Sequence, residues 1–130
     1  MPKISSIRFQ KLDDYQNFVM IANADKEPKQ YKKLSRFYKQ LSEEHKDSFL
    51  PLYENTKFKY ATLRLKKNIM LSKLKLNPND TIDLKFTVRR TTHLDKVFIN
   101  CHVESVKLVE RAPPVELGDV LNLSDSDDSP

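Results

Sequence analysis
Apolar and polar residues alternate early in the chain. Ile7 and Phe9 stand two apart, with Arg8 and Gln10 on the other side, which predicts a short strand across Ile4–Leu12. After the Asp13-Asp14 turn signal, a second strand is predicted across Asn17–Ala22. Between Pro28 and His45 the period lengthens: Tyr31, Leu34, Tyr38, Leu41 and His45 fall on one helical face, with lysines and Arg36 opposite. Pro28 suits the first turn of that helix, and Pro51 bars it from running far beyond Asp47.

From Lys57 onward the period of two returns. Lys57–Lys67 and Asn68–Leu76 read as strands, followed by the Asn77-Pro78-Asn79-Asp80 turn, a strand Thr81–Thr91, a loop at His93–Asp95 and a last strand Lys96–Glu110. Ile82, Leu84, Phe86 and Val88 alternate with Asp83, Lys85, Thr87 and Arg89, so that strand has one core face and one wet face. The last strand changes phase, from Val97, Ile99, Cys101 and Val103 to Val106 and Leu108, which calls for a bulge near Glu104 and Ser105. Strongly bent strands belong to small barrels, so the expected fold is mainly β with one α-helix.

Composition narrows the chemistry. The single glycine is Gly118, so residues 1–114 must turn without one, which removes glycine-rich phosphate loops and dinucleotide fingerprints. Cys101 is the only cysteine; it forms no intrachain disulfide, fits a reducing compartment and reads as a buried, inert thiol. The longest apolar run, Phe18–Ala22, is far too short to span a membrane, and the first ten residues lack the apolar stretch of a signal peptide. A soluble intracellular protein is the expectation.

Ala112-Pro113-Pro114 punctuates the chain, giving an expected domain over residues 1–112 and an acidic tail over 113–130 that reads as disordered. All 23 lysines and arginines lie in residues 1–114 against 13 acids, a formal charge of +10; Val115–Pro130 carries 5 acids and no base. A basic body attracts a polyanion, and a tethered acidic segment competes for the same surface.

Candidate binding residues follow from the strands. If Lys57–Lys67 is straight, Ala61, Leu63 and Leu65 face inward, while Phe58, Tyr60, Thr62, Arg64 and Lys66 share an exposed strip. Rings to stack on unpaired bases, interleaved with cations for phosphates, are what a single strand of nucleic acid needs. A bulge after Tyr60 would instead bury Phe58 and Tyr60 in the core. Phe98, beside Lys96 and on the face of Asn100 and His102, is a second candidate platform, unless a helix covers it. Lys73, Lys75, Lys85, Arg89 and Arg90 add positive charge on neighbouring strands and loops.

Signals for catalysis are thin. Asp83-Leu84-Lys85 places a carboxylate and an ammonium on one strand face, as metal-dependent nucleases require, but only Asp80 stands nearby as a second acid. His45, His93 and His102 are scattered, without zinc-ligand spacing. Neither a catalytic activity nor a metal or other cofactor is expected.

The closing strands, DTIDLKFTV from Asp80 to Val88 and VFINCHVESVKLVE from Val97 to Glu110, resemble those of the OB-fold single-stranded DNA-binding proteins of short-tailed phages. Phe58-Lys59-Tyr60 is similar to that family's first strand after the helix, and the order of elements with an acidic C-terminal end is similar too. The chain departs from the family in its scarcity of glycine and its Ser129-Pro130 ending. The resemblance implies an OB-fold-like small barrel that binds single-stranded DNA with little sequence preference, in viral DNA replication or recombination. It also implies a tail that competes for the groove and recruits replication partners, and often a homodimer. RNA stays open as a ligand, because stacking and phosphate contacts do not read the sugar.

The tail supports a second reading. Val120, Leu121 and Leu123, followed by Ser124, Asp125, Ser126, Asp127 and Asp128, resemble a SUMO-interacting motif: an apolar strand added to a sheet edge, then acids or phosphorylatable serines for a basic rim. On that reading the chain is a protein-interaction module acting in a eukaryotic cell, in the nucleus or at a viral replication site.

Overall fold
The computed structural model describes residues 2–113. The stretch 114–130, with the docking residues Val120 to Asp128, lies outside the described residues. The chain order is β1 (Lys3–Leu12), β2 (Phe18–Asn23), α1 (Pro28–Glu44), β3 (Leu52–Asn55), β4 (Tyr60–Leu65), α2 (Ile69–Leu74), β5 (Thr81–His93) and β6 (Lys96–Glu110).

Five strands close on themselves. β1 pairs with β2 and β5, β2 with β4, β5 with β6, and the ring is sealed where β4 meets β6 in parallel at Leu65 and Cys101. The fold is therefore a mainly β, OB-fold-like small barrel, with β3 as an added strand on β4. Inward positions of every barrel strand meet in one core, where Ile7, Met20, Leu63, Leu65, Ile82, Ile99 and Cys101 are wholly buried. Each such aliphatic side chain contributes about 1.5–3 kcal/mol relative to an exposed one.

Bulges in β1 and β6 let long strands bend around so small a core. In β6 the register passes from Lys85 opposite Ser105 to Phe86 opposite Val103, leaving Glu104 unpaired where the apolar phase changes. In β1 the register slips between Ile4 and Ile7, with Ser6 at φ 53° and its N–H donating to Asp83 Oδ1 at 2.9 Å. Left-handed positions fall on non-glycine residues throughout, a consequence of having no glycine before Gly118.

α1 matches its predicted span. Leu34 and Leu41 are buried, Tyr31 donates its hydroxyl to Glu54 at 2.6 Å, and Phe37 packs on Phe86. The helix stops after Glu44, with Asp47 left-handed and Pro51 beyond.

Two expectations are corrected. Asn68–Leu76 is not a strand: the Asn68 side chain accepts the Met70 N–H at 2.7 Å and starts α2, which buries Leu71 and ends at a left-handed Lys75. The alternation breaks between Leu71 and Leu74, three apart, and the cap decides for the helix. Lys57–Lys67 begins pairing only at Tyr60, because residues 56–59 form the turn of a hairpin with β3, which the alternation did not mark.

Candidate nucleic-acid interface
β4 organises the outer surface. Its register with β2 runs unbroken from Tyr60 opposite Asn23 to Leu65 opposite Phe18, so no bulge follows Tyr60. Ala61, Leu63 and Leu65 point inward, and Tyr60, Thr62 and Arg64 point out. Phe58 stands at the hairpin turn, 65% exposed, with Lys57 Nζ 5.4 Å from its ring centroid. Tyr53 on β3 lies diagonally across from Tyr60, their rings 6.3 Å apart, so the hairpin end carries three accessible aromatics.

At the other end of β4, about 13 Å from Tyr60 along the strand, a groove of about 370 Å³ opens over Leu65 and Ile99. Tyr15, Phe49, Arg64, Lys66, Phe98 and Asn100 line it. The stretch after α1 supplies Phe49: its N–H donates to the Val97 carbonyl, and its own carbonyl accepts the Ile99 N–H, both at 2.8 Å. That pairing sets the Phe49 ring on Phe98, with centroids 4.9 Å apart and planes within 19°. Phe98 is thus met by one ring rather than covered by a helix, and Phe49 remains 50% exposed.

Arg64 holds the next segment in place. Its main-chain N–H donates to the Pro51 carbonyl at 2.7 Å and its guanidinium to the Leu50 carbonyl at 2.9 Å. Opposite, the β1–β2 loop presents Tyr15, 83% exposed. Asp13 shapes this loop by accepting the N–H groups of Tyr15 and Asn17 and the Asn17 amide. Burial alone would raise the Asp13 pKa, but those hydrogen bonds, with the nearby Arg64 charge, outweigh it and hold the carboxyl below its usual 3.8.

Positive charge collects on one side of the groove. Lys96 Nζ lies 5.9 Å from the Phe49 ring centroid. Arg89, opposite Asn100 on the same outward face, approaches Glu104 at 4.0 Å. His102, next along β6, has its pKa lowered from 6.5 first by burial and then by the charges of Arg89 and Lys66, with Glu104 opposing.

The remaining candidate cations are placed elsewhere. Arg90 points from the opposite face of the β5–β6 ribbon to Arg89. Lys85 lies with Lys3 and Lys107 over the β1–β5–β6 side, Lys73 lies on α2 and Lys75 caps its end. The structure thus brings Arg64, Lys66, Phe98 and Lys96 together, with Arg89 beside them, and sets Phe58 and Tyr60 at the far end of the same strand.

Phe49 and Tyr15 join the groove outside the strip that the strand alternation predicts. Tyr15 carried a usable signal, an aromatic amid the polar turn residues Asp13 to Asn17, whereas Phe49 is placed by its pairing with β6.

The acids considered for metal chemistry have structural partners. Asp80, fully buried, accepts the N–H of Asn77 at 2.8 Å and of Ala112 at 2.7 Å, and pairs with Arg111 at 2.8 Å. Asp83 receives the Ser6 N–H. Cys101 is buried at the β4–β6 seam, and burial pushes its thiol up to about 12, which makes it inert. No protein family, characterised protein or solved structure matches this chain.

Proposed function
We propose that the chain binds single-stranded DNA with little sequence preference, using the groove between the β1–β2 loop, β4 and β6. The observation that carries this reading is the Phe49–Phe98 stack, an accessible aromatic pair rimmed by Arg64, Lys66 and Lys96. Unpaired bases offer faces to such rings, at about 1–3 kcal/mol per base, and the cations meet the phosphates between them. A duplex keeps those faces stacked inside itself. Amides at Asn17 and Asn100 are the groove's neutral hydrogen-bonding side chains beside the Tyr15 hydroxyl, too few to read a sequence. On this reading the chain coats single strands during viral replication or recombination.

The test is a salt-titrated comparison of single-stranded DNA, single-stranded RNA and duplex. Single strands should bind more tightly than duplex, with affinity falling steeply as salt rises. Equal affinity for duplex, or none for either, rules the reading out. Salt-insensitive binding to a protein partner without nucleic-acid affinity would favour an interaction module.

A further inference from the structure
β5 and β6 run past the pairing of β6 with Phe49 and end in a projecting hairpin turn. Ile82, Leu84 and Phe86 are buried and Val88 half-buried, but the next two positions in the same phase, Arg90 and Thr92, are exposed. Arg90 stands opposite the buried Ile99 and Thr92 opposite Val97, so the core ends at this level and only the turn beyond projects from it. The ribbon closes in a two-residue turn between His93 and Lys96, with Leu94 at φ 50° and Asp95 at φ 63°.

That turn type favours Asn-Gly or Asp-Gly, because both central residues must be left-handed. Leucine there is disfavoured on backbone grounds. It also holds its side chain 80% exposed at the apex. Eight described residues have positive φ, and Leu94 is the one apolar residue among them. Neither the turn nor the core accounts for an apolar side chain at this position.

The surroundings indicate what it meets. Arg89, His93 and Lys96 lie on the face that continues the Phe49–Phe98 groove, and Arg90 lies on the other. Lys96 thus adjoins the tip, with Arg89 and Arg90 further back on opposite faces. Counting from the Thr91–Phe98 pair through the turn, Leu94 stands about 10 Å beyond the aromatic stack, a few nucleotides at most.

We propose that this ribbon engages the junction where a single strand enters duplex, with Leu94 wedged against the terminal base pair and the nearby cations on the two backbones. Apolar wedges inserted at base steps are a known means of unstacking DNA. Unlike the groove's stacking platform, the wedge needs duplex on its far side. The proposal rests on the groove holding the single strand.

The probes are a single strand and a duplex carrying that same strand as an overhang, with 2-aminopurine in the terminal base pair. The full chain should bind the tailed duplex at least about fivefold more tightly than the single strand, the value of one added stacking contact. Binding should also raise the 2-aminopurine fluorescence. Leu94→Asn, which suits the left-handed turn, should leave single-strand affinity unchanged and remove both effects; Asp95→Gly should retain them. Equal affinity for the two probes with single-strand binding intact, or a preference that survives Leu94→Asn, overturns the wedge alone. Absence of single-strand binding overturns the groove reading, and the wedge with it.

Discussion
Phe49 reaches Phe98 from a different part of the chain and lies nearly parallel to it, held by two main-chain hydrogen bonds to β6. The two rings form one platform, so losing either one removes the support of the other. Phe49→Ala and Phe98→Ala should each weaken single-strand binding about 5- to 20-fold, near the lower half of the range for one stacked base. The double variant should lose less than the product of the two. Fluorescence anisotropy measures all three, and circular dichroism should show little loss of fold, because Phe49 is half exposed and Phe98 only partly buried. Fully multiplicative losses would show two independent contacts instead.

His102 gives the groove a pH signature. Burial, with Arg89 and Lys66, lowers its pKa below 6.5, so near neutral pH it is uncharged in the free protein. A phosphate placed among these cations offsets their repulsion and raises that pKa, so binding takes up a proton. Single-strand affinity should therefore increase as pH falls from about 7.5 through 6.5, beyond the change seen in His102→Gln. Stability has the opposite sign: the unfolded chain binds the proton more readily, so this group's contribution is complete above 6.5 and declines as pH falls from there toward the lowered folded value. Identical pH profiles for the two proteins would place His102 away from the bound strand.

Much of this architecture was legible because side-chain alternation is strict wherever one face is buried. β5, β6, α1 and the bulge at Glu104 follow directly from the positions of Ile82 to Val88, Val97 to Leu108 and Leu34 to Leu41. α2 was not legible, because a six-residue helix holds too few apolar positions to separate the two periods, and the Asn68 cap is a single side chain. Half of the stacking platform was visible as Phe98 beside Lys96. The other half required knowing that residue 49 pairs with residue 98, a long-range contact that local pattern does not encode.

Asp80 and Arg111 clasp the end of the domain. Arg111 also donates to the carbonyls of Leu74 and Lys75, so one side chain ties the end of α2 to the β5 turn and the chain's exit at Ala112. Burial would raise the Asp80 pKa, but the N–H groups of Asn77 and Ala112, then Arg111, bring it below 3.8. Its stabilisation is therefore present above 3.8 and lost as pH falls through the lower folded value. Asp80→Ala should cost about 3 kcal/mol in urea unfolding, as for a broken buried pair. Arg111→Ala should cost less, about 1–2 kcal/mol, because Asp80 keeps two main-chain donors. Equal costs would mean that Arg111 supplies nearly all of the clasp.

The chain leaves this clasp toward residues 115–130, whose five acids lower the formal charge from +10 to +5. Five negative charges tethered to a body bearing Arg64, Lys66, Arg89 and Lys96 compete with phosphates by charge alone. Ending the chain at Pro114 should tighten single-strand binding several-fold at about 50 mM salt, and the gain should shrink toward 0.5 M as the screening length falls below about 5 Å. Replacing Ser124 and Ser126 with aspartate should move the full chain in the opposite direction, weakening binding at low salt and not at high. Titrations across salt for the three proteins separate charge competition from apolar docking: a truncation gain that persists at 0.5 M would assign the effect to Val120, Leu121 and Leu123 rather than to the acids.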